Sequence, residues 1–392
     1  MDIIALLLDL IQPNQIMNKK LVVLPNDSLL DYYNKGEIKS RYFNPQNWLD
    51  EIHVISLFDK EIEPEKVQKL AGNAILKIHN FGKVNLSNYG LVEKKIIEKI
   101  SEINPQMIRA FNPRVQGWLA TKASQKLEIP VVISLHTNYE EQTEYAKKQG
   151  NYFKFLKLKY SSRKLEKFCL QNSNAVICVY QYIVPYAQKM GASNIQVIYN
   201  KVDSEKFSTS IEKKIVFDKP TVISVGRLIE QKNRKYIIEA VKGLDIELLI
   251  IGDGPQLNEL NQLINSLELS QKVKIVKSVP NEELAQYYLA ADIFALAIED
   301  FGQGIPIPVI EAMSCGLPVV ITKHSDSYSE IIDQAVVSVE NKPTEFHQAF
   351  KEILAKPDFK KQLVTKSLKV ANLINGNTME EKELQLYKNL MR

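Results

Sequence analysis

Three short stretches carry residues whose types and spacing suit chemistry on a phosphorylated ligand. The first is Gly226-Arg227-Leu228-Ile229-Glu230-Gln231-Lys232-Asn233, directly after the apolar run 221–225. A glycine at a strand's end lets a phosphate approach the backbone, and Arg227 and Lys232 bring two cations to one loop. A departing diphosphate gathers negative charge, and two positioned cations stabilise it as a metal ion would. Each such charge-assisted hydrogen bond is worth roughly 1.5–3 kcal/mol. The second stretch runs Gln303-Gly304-Ile305-Pro306-Ile307-Pro308-Val309-Ile310-Glu311, a Gly/Pro-rich loop that leads into helix-competent sequence. Backbone N–H groups around Gly304 and Ile305, with the positive end of the helix, suit an anion such as a diphosphate. Glu311, one turn further, is placed to accept hydrogen bonds from a ribose or sugar hydroxyl. The third is Gly252-Asp253-Gly254-Pro255, where Gly252 permits close approach on the nucleotide side and Asp253 reads as a helix cap.

The elements that must position these residues alternate between strand and helix. Apolar runs of strand length stand at 21–24, 52–56, 107–110, 131–135, 175–179 and 196–198, then at 221–225, 247–251, 273–276, 293–297, 319–321 and 335–339. Helical spacing of apolar residues fills several of the gaps, as in 91–100 and 118–127. This alternation predicts parallel sheets with helices on both faces, an α/β fold of two doubly wound domains. Ligands bind such sheets outside the strands' carboxyl ends. His136, on the loop after 131–135, is therefore placed for a binding cleft, whereas a structural His filling a loop is an equally open reading of that residue alone. The loops at 26–33 and 111–113 have similar placements and are candidates for acceptor contacts.

The 303–319 stretch resembles the signature of the family 4 retaining glycosyltransferases: an acid, seven residues, a second acid followed by Ala-Met, and a Gly-x-Pro-Val strand. Glu311-Ala312-Met313 and Gly316-Leu317-Pro318-Val319 match it, and Gly226-Arg227, four residues and Lys232 match the family's cationic loop. In this register the first acid is Gln303, with Glu299 four residues too early, so the contact to the donor sugar passes to the Gln303 amide or to Glu299, or is lost. The resemblance implies a GT-B fold, two Rossmann-like domains facing across a cleft, with His136 on one wall and Arg227, Lys232, Gln303 and Glu311 on the other. It also implies that His136 approaches the donor sugar and that the nucleobase meets the backbone near Val279. The boundaries expected are an N-terminal extension at 1–16, an acceptor domain at 17–203, a donor domain at 204–376 and a helix at 377–392 crossing back to the first domain. Met17, just before the first strand, is an alternative start.

Composition excludes several other classes. A net charge of +4 over 392 residues is too small to mark a nucleic-acid binder, and no basic run is interleaved with regularly stacked aromatics. Three cysteines without CxxC spacing fit a reducing cytosol. No Asp-x-Asp pair occurs, and the five histidines show no ligand spacing, so neither a metal nor another cofactor is expected. Residues 141–170 hold eight basic and three acidic side chains, with Phe153, Phe155, Leu156 and Tyr160 among the lysines. That pattern suits a helix resting on an anionic membrane surface through the basic segment 147–167, on the inner face of the cell membrane; a solvated charged face is the alternative.

The function expected is transfer of a hexose or N-acetylhexosamine from a nucleotide-diphosphate sugar, a UDP-sugar favoured, to a glycan or lipid-linked acceptor in polysaccharide synthesis. The resemblance implies retention of anomeric configuration, without metal. The alternatives are a nucleotide-sugar-binding protein without turnover and a GT-B nucleotide-sugar epimerase.

Overall fold

The computed structural model describes residues 18–34, 36, 38–203, 206–280, 282–299, 304–323 and 332–391. Two parallel sheets carry the architecture. In the first, strands β1 (Lys20–Leu24), β2 (Glu51–Ser56), β3 (Ile75–Asn80), β4 (Met107–Ala110), β5 (Val131–Leu135), β6 (Ala175–Cys178) and β7 (Ile195–Val197) lie in the order β3-β2-β1-β4-β5-β6-β7. The second holds β8 (Thr221–Val225), β9 (Glu247–Ile251), β10 (Val273–Val276), β11 (Ile293–Leu296), β12 (Val319–Thr322) and β13 (Val336–Val339), in the order β10-β9-β8-β11-β12-β13. Both are doubly wound, Rossmann-like parallel sheets.

The central strands read as continuous apolar runs because helices cover both faces of a parallel sheet. Val222, Leu248 and Ile293 lie side by side across β8, β9 and β11, all fully buried. Beneath them Phe346, Phe350 and Ile353 of the helix Pro343–Ala355 complete the core. By contact density the chain divides into two compact units, residues 1–132 with 386–392, and residues 133–385. In the first unit Arg109 on β4 donates to the Tyr387 hydroxyl and lies over the Phe111 ring, 4.5 Å from its centroid.

Strand β3 is absent from the sequence reading. It is the edge strand of its sheet, and only Leu76 along Ile75–Asn80 is buried, so it lacks the apolar run that marks an interior strand. The basic segment is not one helix: Gly150, at φ 69°, separates Tyr139–Lys148 from Tyr152–Ser161. A further correction is local. Asp253 does not cap the next helix; its carboxylate accepts the N–H of Gly254 at 2.8 Å. The 1–16 extension, the alternative start Met17 and Gln303 lie outside the described residues.

The same-face residues of β2 and β3 form a polar chain. Glu51 accepts from Lys77 and pairs with His53 Nε2, each at 3.0 Å, and also accepts from Asn18; His53 Nδ1 stands 3.0 Å from His79 Nε2. Burial pulls the Glu51 carboxyl up, but the bonds from Lys77 and His53 and the charge of Lys20 overcome it and hold it at about 2. Burial first, then the neighbouring His53 and the charges of Lys99 and Lys77, push His79 down to about 4. Below its ordinary value of 6.5 an unfolded His79 takes a proton that the folded one refuses, so stability is complete above pH 6.5 and falls as pH drops towards 4. Thermal melts should therefore lose several degrees between pH 6.5 and 4, and His79→Gln should flatten that slope. An unchanged slope would remove His79 as its source.

Candidate functional site

The site is built at the carboxyl end of the second sheet. From β8 the chain moves outward through β9 to β10, then returns to start β11 on the other side of β8. The order therefore reverses between β8 and β11, and a crevice outside the strand ends is the geometric consequence. The loops carrying Arg227 with Lys232 and Gly304 with Glu311 leave these two strands.

Backbone hydrogen bonds knit the loops together. The Leu228 N–H donates to the Asp253 carbonyl at 2.9 Å and the Gln256 N–H to the Leu228 carbonyl at 3.2 Å, joining the loops after β8 and β9. The Glu299 N–H donates to the Gln231 carbonyl at 2.9 Å, joining the loop after β11 to the cationic loop. Glu299 is thereby fixed beside the turn that ends in Lys232.

The glycines answer to close packing. A Cβ on Gly252 would lie 2.1 Å from the Gly226 carbonyl oxygen, and one on Gly254 2.3 Å from the carbonyl oxygen of Leu228. The approach that Gly252 permits is thus that of the neighbouring loop's backbone. Within the 133–385 unit, Gly304 lies against the Tyr180 ring, where a Cβ would stand 2.0 Å from the nearest ring carbon. The Tyr180 hydroxyl accepts from Asn200 Nδ2 at 2.9 Å, which fixes the ring. Ile305 is buried, and among the described residues neither Gly304 nor Ile305 donates its N–H to a protein acceptor.

Arg227 is exposed on its loop, whereas Lys232 closes the turn Glu230–Lys232. Burial first, and then the charges of Arg234 and Arg227, press the Lys232 ammonium down to about 8. A cation held in that way gains most when an anion arrives. Glu311 sits half-buried on the helix Ile307–Ser314, which begins with Pro at its second position and stops at Gly316. One of its oxygens accepts from the Tyr288 hydroxyl at 3.0 Å. Tyr288 is wholly buried, and burial with the Glu311 charge raises its hydroxyl well above the ordinary value, so it stays a donor and orients the carboxylate.

Val279 lies half-buried in the loop between β10 and the helix Leu284–Ala290, on the outer side of β9 from the cations. His136 is half-buried on the loop after β5, next to the helix Tyr139–Lys148, whose start is capped by Asn138 accepting from the Glu140 N–H at 3.1 Å. In the first sheet the order reverses between β1 and β4, and Asn112 donates to Asn26 at 2.9 Å across those two loops. His136 is thus one strand removed from that point.

Sequence reasoning missed Tyr288 and Arg234. Tyr288 looks like one more apolar position on a short helix. Arg234 was visible as a third cation in Lys232-Asn233-Arg234, but nothing in the sequence says that it turns inward.

Residues 49–206 match the family described as Glycosyltransferase Family 4 and residues 207–370 that described as Glycosyl transferases group 1. The GDP-mannose-dependent alpha-(1-6)-phosphatidylinositol monomannoside mannosyltransferase of Mycolicibacterium smegmatis is 30% identical over 126 residues, 30% of this chain and 33% of that protein. The alpha-monoglucosyldiacylglycerol synthase of Acholeplasma laidlawii is 23% identical over 260 residues, 62% of this chain and 65% of its own length. The chain thus spans less than two thirds of either relative. Among solved structures, HepE of Anabaena in complex with UDP superposes with a TM-score of 0.71 at 15% identity, over 94% of this chain and 100% of that one. At such identity the likeness speaks for the fold. The two matched families together run from residue 49 to 370, and with the two Rossmann-like sheets they establish that the chain belongs to the family 4 glycosyltransferases of GT-B fold.

Proposed function

We propose that the chain is a retaining glycosyltransferase that moves a hexose or N-acetylhexosamine from a nucleotide-diphosphate sugar to a lipid-linked or glycan acceptor. The observation that carries this reading is the pair Arg227 and Lys232 beside Gly226, on the loop that leaves β8 where the strand order reverses. Their charges take up the negative charge that gathers on the leaving diphosphate, and no metal ion is needed for that step. The bond from the anomeric carbon to the phosphate oxygen breaks while the acceptor hydroxyl bonds to the same carbon from the same face, and the acceptor's proton passes to the departing phosphate oxygen. Glu311, oriented by Tyr288, accepts from a donor hydroxyl, and Gly304 and Ile305 offer their N–H groups to phosphate. Val279 takes the base, His136 the donor sugar, and Gln303 the contact that the family's first acid makes. The UDP held by HepE favours a uridine donor.

The acceptor side favours a lipid. Of the two relatives named above, one is by its name a mannosyltransferase of phosphatidylinositol monomannoside and the other a synthase of monoglucosyldiacylglycerol. On the helix Tyr152–Ser161, Tyr152, Phe153, Leu156 and Tyr160 are 68, 82, 62 and 48% exposed. At 100° per residue they fall within one narrow arc, and Lys157 and Lys159 flank it on opposite sides. Such a helix lies in a membrane interface, with its rings among the acyl chains and its lysines at anionic headgroups, each lysine contributing about 1 kcal/mol. Among the described residues no helix is long and apolar enough to cross a membrane. Attachment from the cytoplasmic face by this helix is the reading that follows.

Calorimetric titration with UDP, GDP, ADP and CDP in chelator is the test of the donor site. One nucleotide should bind to the wild-type chain, and Arg227→Ala should weaken it about tenfold or more and abolish sugar transfer. An Arg227→Ala variant with intact turnover contradicts the reading, and donor binding without hydrolysis or transfer to any acceptor leaves a binding protein.

Flotation with vesicles tests the acceptor side. The chain should bind phosphatidylglycerol vesicles more tightly than phosphatidylcholine ones, and a Phe153→Ser/Leu156→Ser variant should lose about tenfold while melting as wild type does. Equal binding by the variant would show that the helix is a solvated face.

A further inference from the structure

Among the described residues Arg234 is the largest side chain with no exposure at all. It opens the helix Arg234–Ala240 and turns inward under the end of β8. Its Nη1 donates to Ser224 Oγ at 2.5 Å, and that hydroxyl in turn donates to the Ala295 carbonyl, also at 2.5 Å. Nη2 rests against Gly226, 3.1 Å from the place where a Cβ would be. Among the described residues neither Nη2 nor Nε has a hydrogen-bond partner.

A dehydrated guanidinium with two idle N–H groups is among the costliest things a core can hold. Burial pulls it down only to about 10, so it remains charged at neutral pH, and the nearby Tyr288 hydroxyl is kept neutral by its own burial. Glu311 accepts from that same Tyr288 hydroxyl at 3.0 Å. Among the described residues no carboxylate is paired with Arg234. Nη2 lies beside the Gly226 backbone, and the absence of a side chain there is what lets it come up to the loop that carries Arg227 and Lys232.

We propose that Arg234 is a third, buried cation of the phosphate site, its unused N–H groups directed past Gly226 at the diphosphate of a nucleoside diphosphate. This rests on the donor-site reading above and extends it. The three cations divide the work by depth: Arg227 meets the ligand from solvent, Lys232 closes on it from the turn, and Arg234 holds positive potential beneath the floor where water cannot screen it. The anion that enters meets a charge already dehydrated, so the desolvation cost falls on folding instead of on binding.

The experiment is calorimetry in chelator on the full chain, with the nucleoside diphosphate that binds wild type and with its parent nucleoside. Arg234→Met fills the same volume without charge. It should bind the diphosphate about tenfold or more weakly, the scale of one charge-assisted hydrogen bond, hold the nucleoside within about twofold of wild type, and melt no lower than wild type. Ser224→Ala, which frees the guanidinium from its one acceptor, should show a smaller loss of the same selectivity and stands in if Arg234→Met does not fold. Unchanged diphosphate affinity in either folded variant, or equal loss of diphosphate and nucleoside, overturns the inference while the donor site stands. A wild-type chain that binds no nucleoside diphosphate overturns both.

Discussion

The constraint on which the site depends is positive charge kept away from water at the end of one strand. Three basic residues within eight positions follow β8, and two of them, Lys232 and Arg234, are largely or wholly withdrawn from solvent. Burial lowers both, and the charges of Arg234 and Arg227 lower Lys232 further. Such an arrangement is destabilising on its own, since a buried cation without a partner keeps most of its desolvation cost. It persists because the parallel sheets around it bury enough apolar surface to tolerate it. Preorganised charge of this kind is what a leaving diphosphate uses, because nothing has to reorganise when the anion forms.

The backbone around these cations is held by geometry that admits little variation. Gly252 and Gly254 press against the carbonyls of Gly226 and Leu228, Gly304 lies against an aromatic ring, and Glu299 is bonded to Gln231. Larger residues at these glycines would push the loops apart and with them the cations. The same logic makes Glu311 more than a surface acid: Tyr288, buried and kept protonated, fixes one of its oxygens.

Much of this was legible in the sequence, and for a physical reason. Strands buried on both faces appear as apolar runs, so β1, β8 and β9 and the loops they end in can be placed within a residue or so. Arg227, Lys232 and Glu311 then follow from spacing. What was not legible depends on direction and depth. Lys77 and His79 on β3 interrupt Ile75, Leu76 and Ile78, of which only Leu76 is buried because the strand lies at an edge, so no run marks it. Arg234 and Tyr288 act through burial, and a string of letters does not say that an arginine turns into the core. The break at Gly150 was visible as a glycine, but the density of charge around it made one continuous amphipathic helix look simpler.

The central claim is that a nucleoside diphosphate binds between the ends of β8 and β11, on backbone N–H groups and buried cations. The chain has 15 glycines, few enough for a glycine-selective ¹⁵N spectrum to resolve, with Gly226 and Gly304 assigned by substitution. Titrated with UDP in chelator, the amides of Gly226 and Gly304 should move together and saturate at one affinity, and uridine should leave them in place. Shifts confined to glycines of the first sheet, or shifts that appear only after a divalent metal is added, would contradict the account.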